Sequence, residues 1–414
     1  MNTQKTPLLD KLYMLLLTLL PVFAIYRVGS LDLDVVLMLA FFAIFLFSSK
    51  FITITSVGKP IALLVVYILL STSINLLVGE RFSAKTEVVL RMGRYCLYLL
   101  MVFFFGNKHA TYREFMRIYR ILVYAAIFYL FLQAVFYYGF GIMLHNKIGA
   151  SSVSENAASV GRLRSFYSEP ADLGYNMIPF LACSLFGEKY KADVSKDNSL
   201  DALLVSVAIV MSTSGQGVIC AGLIWGFWLL NHIFKEGLRP RDILILVGAV
   251  VAIIVLYFTG ILEYTISRAE SSGEGSAIDA RASGYVSLAL LSPLQLLFGT
   301  GFGNYIVENT FDLEVYYQYV NYSSLAEFLF TLGIFGTAIL LGFFVYLFRK
   351  GTGSAKIMIL SLLFLSLLGC PMTGKHFPLW LTLICVQLPE GLYAPKVETL
   401  TSKGGPFPDY GCKK

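Results

Sequence analysis

One short polar stretch of this chain gathers two arginines, a glutamate and a proline among aromatic rings. Residues Gly161–Gly174 read GRLRSFYSEPADLG. A guanidinium recognises phosphate oxygens in a bidentate and permanently charged way, so Arg162 and Arg164 are suited to an anion. Glu169 follows closely and can accept a proton from an attacking hydroxyl. Tyr167 lies between them and offers a ring and a hydroxyl to the same ligand. A plainer reading stays open, in which Arg162 and Glu169 pair and simply order the loop.

Further cations lie elsewhere. Arg91 and Arg94 are three apart in VLRMGRYCLYLL, so they share a helix face. A charge within a membrane span costs about 2.5–3.5 kcal/mol on insertion scales, less near its ends. Two arginines on one face therefore point to a compensating anion, unless they snorkel to head groups. Arg281 precedes an apolar stretch that runs into GTGFGNY (Gly299–Tyr305). The glycine run is a weak phosphate-loop signal, because no strand precedes it and no loop lysine follows, so a structural turn is the default. Tyr317 and Tyr322 belong to a tyrosine-rich segment that could stack on sugars or anchor at the interface. His145 and His376 are isolated, and lone histidines at a membrane edge are more often structural than catalytic.

These residues sit in a frame built for lipid. The chain has 414 residues, 57% of them hydrophobic and only 14% charged. Soluble domains carry roughly 25% charged residues. The composition predicts an all-α polytopic membrane protein with about 12 transmembrane helices. They fall near 12–29, 33–49, 60–79, 88–106, 117–140, 171–187, 199–213, 216–234, 242–260, 324–348, 355–370 and 375–393. The first is expected to be retained, since no small-x-small cleavage site precedes the next polar break. Basic residues cluster in alternate loops, among them Lys108, Arg113, Arg117 and Arg120. That alternation puts both termini in the cytoplasm and two long loops, near 141–170 and 261–323, on the opposite side.

Residues 1–396 read as a single membrane domain, and 397–414 as a disordered cytoplasmic tail. Asp279–Phe298 is amphipathic and could lie at the membrane surface. Ser212–Gly217, STSGQG, predicts a tight helical hairpin whose glycines leave backbone N–H groups free. The net charge of +6 is distributed over separate loops without base-stacking aromatics, which argues against nucleic acid. The six cysteines show no metal-ligand spacing, and no structural disulfide, metal site or cofactor is expected.

RLRSFYSEPADLG, STSGQG, Arg281 with SPLQLLFGTGFGN, and EFLFTLGIFG (Glu327–Gly336) together resemble bacterial oligosaccharide repeat-unit polymerases of the Wzy type, within the O-antigen polymerase and ligase superfamily. The resemblance implies a glycosyltransferase of the bacterial inner membrane whose active site faces the periplasm. It would move a growing chain from undecaprenyl pyrophosphate onto the next lipid-linked oligosaccharide unit, without a metal and with inversion. Loop arginines of the family act on the pyrophosphate, a role that would fall to Arg162 or Arg164 and to Arg281. A chain-length regulator and a flippase of the same pathway are implied partners, beside membrane lipids. The ligase branch carries a His-Asn pair where this chain has Tyr322 and Ser323, which favours a polymerase and leaves Glu169 as the candidate base. The alternatives are an O-antigen ligase-like transferase and a lipid-linked oligosaccharide flippase. Transporters usually show repeats and broken-helix or midplane charge sites, and none is legible here.

Overall fold

A computed structural model describes residues 8–28, 31–48, 54–78, 85–105, 112–146, 163–187, 199–236, 284–304 and 323–389, with Gly248 and Leu392. The span expected at 242–260 apart from Gly248, the tail 397–414, and Arg162, Arg281, Tyr317 and Tyr322 lie outside the described residues. The described chain is helical, apart from a two-residue antiparallel ladder of β1 (Arg27–Val28) on β2 (Leu31–Asp32). In order, the long elements are α1 (Leu8–Phe23), α2 (Leu33–Ser48), α3 (Gly58–Val78), α4 (Lys85–Phe105) and α5 (Tyr112–Phe140). Then come α6 (Pro170–Phe186), α7 (Ser199–Met211), α8 (Gly215–Glu236), the short α9 (Pro293–Phe298), α10 (Ser324–Lys350), α11 (Gly353–Leu368) and α12 (Phe377–Cys385).

Five of these, α3, α4, α5, α8 and α10, are long and apolar enough to cross a membrane. Many large apolar side chains point outward, for instance Phe47 at 92% exposure and Leu77 at 86%. An apolar exterior on this scale fits lipid rather than water. The span expected at 375–393 is instead the nine-residue α12, which is too short to cross and is buried along its whole length. It packs against α4 and α11. α6 is the second interior element and packs against α7, α8 and α11. Its Pro179 supplies no N–H, which frees the Tyr175 carbonyl, and Trp380 Nε1 of α12 donates to that carbonyl at 2.7 Å.

Where it is described, the amphipathic stretch ending at Phe298 is broken, with helical residues 284–286 running into a 3-10 turn (Ser287–Leu290) and α9 following. The break between them is capped by Ser292 and Gln295, each hydrogen-bonding the other's backbone N–H. Beyond α9, the glycine run meets α10 where that helix is broken. Gly333 has φ 67° inside α10. The carbonyls around the break are taken by the incoming loop and by Tyr67 of α3. Thr300 N–H donates to Phe330 O at 3.1 Å, Gly301 N–H to Thr331 O at 3.0 Å, and the Tyr67 hydroxyl to Leu332 O at 2.9 Å. GTGFGN is thus the structural turn that its sequence favoured, and it mends an interrupted helix.

The α7–α8 hairpin is as tight as its sequence predicts, with Thr213 at φ 54° in the turn. Its glycines serve close packing. A Cβ at Gly217 would meet Ser214 Oγ and an Ile209 methyl, each at 3.1 Å. The Gly217 N–H expected to be free is capped by Ser214 Oγ at 3.4 Å.

Candidate functional site

Several helix ends converge on a cavity of about 500 Å³. Its charged lining comprises Arg91, Arg94 and Lys375 with Asp32, Glu169, Asp172 and Glu327. The cavity is therefore of mixed charge, and much of its cationic side is already held by the protein's own carboxylates.

The polar loop before α6 is fixed by one buried side chain of α5. Gln133 Oε1 accepts from Ser165 N–H at 2.8 Å and Arg164 N–H at 3.3 Å, while its Nε2 donates to Ser165 O at 3.0 Å. Ser165 sits at φ 54° and donates from Oγ to Ala126 O at 2.8 Å. This clamp delivers Ser168, Glu169 and Asp172 to the cavity. Glu169 is the N-cap residue of α6, makes no side-chain cap, and is exposed at the rim.

Asp172 is the hub of the site. Its carboxylate accepts from Lys375 Nζ at 2.9 Å, from His376 Nε2 at 2.7 Å, and from the Ser168 hydroxyl. Lys375 also donates to Ser168 Oγ at 2.6 Å. Asn176 Nδ2 donates to Asp172 O at 3.0 Å and lies 2.7 Å from His376 Nδ1. This network assigns the imidazole as the tautomer protonated on Nε2, with Nδ1 as acceptor. Both ring nitrogens are engaged and the ring is buried, so His376 positions Asp172 and has no lone pair left for a substrate. The turn 370–376 that carries Lys375 and His376 is tied to the start of α10. Ser324 Oγ accepts from Met372 N–H at 3.1 Å, and Ser324 N–H donates to Gly369 O at 2.7 Å.

A second cluster closes another part of the lining. Arg94 donates to Asp34 at 2.8 and 3.0 Å and to Asp32 at 2.7 Å, with the Tyr98 hydroxyl adding a bond to Asp34 at 2.9 Å. β2 and the first turn of α2 bring these aspartates to α4. The anion expected opposite Arg91 and Arg94 is thus partly the protein's own. Arg91 pairs with Glu87 at 2.6 Å, one turn earlier on the same helix.

The structure brings Glu169, Arg91 and Arg94 to one cavity. Two expected binders stand elsewhere. Tyr167 is fully buried in the hydrophobic core, tilted against Phe166 at 5.1 Å, and cannot touch a sugar. Arg164 does not line the cavity. Its Nη1 donates to Ser168 O at 2.9 Å, and burial lowers its pKa while the neighbouring Glu169 charge opposes that. A guanidinium starts above 12 and stays charged through such a shift. Arg164 is thus tied into the loop through the Ser168 carbonyl, while the Arg162–Glu169 pair of the plainer reading lies outside the described residues.

Sequence reasoning missed Lys375, Asp172, Asp32 and Asp34 as site residues. Asp172 stood inside the arginine-rich motif, three residues beyond Glu169. Lys375 stood beside His376 between apolar runs, and the two aspartates form LDLD between the first two spans. Charges at span edges were the available signal; which of them meet was not. No protein-family model matches the chain, and no curated protein matches it.

Proposed function

We propose that this protein is a polymerase of undecaprenyl-pyrophosphate-linked oligosaccharide units, acting at the periplasmic face of a bacterial inner membrane. The observation that carries the reading is the mixed-charge cavity at the converging helix ends, in a protein that exposes many large apolar side chains. A lipid-linked pyrophosphate needs cations at a lipid boundary, and Arg91 and Lys375 line that cavity. The leaving pyrophosphate gains charge as its bond to the sugar breaks, and cations held in place beforehand stabilise it without reorganising. Asp172 and Ser168 hold Lys375 in this way. Arg162 and Arg281 are further proposed contacts, on the strength of the family resemblance. The isoprenoid tail would lie against the apolar helix faces.

The test uses the purified full chain in nanodiscs with lipid-linked repeat units and no other acceptor. A ladder of lengthened products is expected, and Arg91→Ala with Lys375→Ala together should abolish it. Absence of any ladder from the unaltered protein overturns the reading.

One observation favours a second reading, a lipid-linked oligosaccharide transporter. α10 is broken at Gly333, and broken helices line transport sites in many carriers. Here the carbonyls at the break are occupied by Thr300, Gly301 and Tyr67, so they offer little to an ion or sugar. Movement of labelled lipid-linked sugar across vesicles, without chain growth, would favour the transporter.

A further inference from the structure

One wall of the cavity is aromatic and rigid. Tyr95 of α4 stacks on Phe302 with ring centroids 4.5 Å apart and lies nearly parallel to Phe377 at 6.0 Å. Phe328 leans on it at 5.8 Å. Tyr95 is 2% exposed, and its hydroxyl has no hydrogen-bond partner among the described residues. Buried hydroxyls are almost always partnered, so an orphan at a cavity wall marks a place for a ligand's polar group. The hydroxyl oxygen is enclosed with the ring, a buried polar atom without a partner among the described residues in a side chain that lines the cavity.

The carboxylates of the cavity differ in how deeply they are placed. Asp172 holds Lys375 and His376, and Asp32 holds Arg94 and Arg27. Glu169 is exposed at the rim beside Arg164. Glu327 is different in place. It lies in the first turn of α10, is only 9% exposed, lines the cavity with Tyr95, and interacts electrostatically with it. Phe328, the next residue, packs against the Tyr95 ring.

We propose that Glu327 is the general base of the transfer and that the Tyr95 hydroxyl holds the same acceptor hydroxyl in front of it. This rests on the polymerase reading and moves the base from Glu169 to a buried carboxylate. The ligand group is a ring hydroxyl of the terminal sugar on the incoming lipid-linked unit. Its proton passes to the Glu327 carboxylate as its oxygen bonds to the anomeric carbon of the donor. The anomeric carbon–oxygen bond to phosphate breaks, and the electron pair leaves with the lipid pyrophosphate. Glu327 then releases its proton to water. Positioned general bases contribute about 10²–10⁴ in rate.

The experiment is steady-state chain extension by the full protein in nanodiscs, with donor and acceptor lipid-linked units varied separately. Glu327→Gln keeps size and polarity but cannot take the proton, and kcat should fall at least about a hundredfold with acceptor KM little changed. Tyr95→Phe removes one oxygen and should raise acceptor KM with donor KM constant. Glu169→Gln should lose less than Glu327→Gln. If Glu327→Gln lowers the thermal midpoint, Glu327→Asp decides, because a base role predicts partial recovery of kcat and a packing role predicts none. With an active unaltered protein, a Glu327→Gln kcat within threefold of it overturns the base assignment and leaves the polymerase reading standing. An unchanged acceptor KM in Tyr95→Phe overturns the role of Tyr95. An unaltered protein that makes no polymer overturns the polymerase reading itself, and this inference with it.

Discussion

Two polar segments interrupt the apolar frame, and they use their polar groups in opposite ways. In GTGFGN the backbone acts. Thr300 and Gly301 turn their N–H groups to the carbonyls of a broken helix, and Gly299 is a glycine because its backbone passes against that of Thr331 and Leu332. In the loop before α6 the backbone is itself cared for, by Gln133 and Ser165, and the side chains of Ser168, Glu169 and Asp172 reach the cavity. The difference teaches that a glycine-rich run in a membrane protein is as readily a repair as a ligand cradle. Backbone groups away from water must be satisfied somewhere, and the nearest open carbonyls claim them first.

The contrast can be broken most severely at Gly299. It has φ 85°, and a Cβ there would lie 2.2 Å from Thr331 O. The Cβ is fixed in position by its own backbone and Thr331 O belongs to backbone, so neither can step aside. Gly299→Ala should cost about 5 kcal/mol and leave little monodisperse protein after extraction. Recovery of normal yield and thermal midpoint would show that the loop does not mend α10 as described.

Next in size is Asp172→Ala, which strands Lys375 and His376 in a mostly buried place. Breaking a buried ion pair from one side costs about 3–5 kcal/mol. The thermal midpoint should drop strongly, and it should drop less when Lys375→Met is combined with it. Equal losses in the single and double variants would remove Asp172 as the hub.

Gln133→Ala should be milder, about 1–3 kcal/mol, because the loop's own N–H groups lose their acceptor. Its signature is local. Hydrogen exchange should accelerate over residues 163–169 while the backbone of 299–304 stays protected. Acceleration in both segments would mean that they are one cooperative unit and not two.

The smallest effect belongs to Glu87→Gln. An i,i+4 pair at a partly exposed helix end is worth about 0.3–0.5 kcal/mol. Stability should hardly move, while Arg91 becomes freer to meet an anion. A large loss of stability would show that Arg91 is a structural cation in the manner of Arg94.

Much of the helical layout was legible in the sequence. The apolar runs at 33–49, 60–79, 171–187, 199–213 and 324–348 fall close to α2, α3, α6, α7 and α10. The final run misled, because an apolar stretch reads alike whether it faces lipid or protein. α12 is a short interior helix, and its burial comes from α4 and α11 rather than from its own pattern. The aspartates that hold Arg94 were equally hard to foresee. Asp32 and Asp34 lie about sixty residues from their partner, and nothing local announces that contact.

What the sequence determined by itself is chemistry that depends on composition and local spacing. It includes the apolar helices, the tight α7–α8 turn, and the glycine run as a turn rather than a phosphate loop. Those features follow from hydropathy, chain length and backbone sterics, which act between near neighbours. Only the tertiary structure decided which charges meet. It gave Arg94 to Asp32 and Asp34, gave Lys375 and His376 to Asp172, buried Tyr167, and set Glu327 beside Tyr95. The reason is that a charge in an apolar surrounding must find a partner, and the partner is whatever the helix packing brings within reach, however distant in the chain.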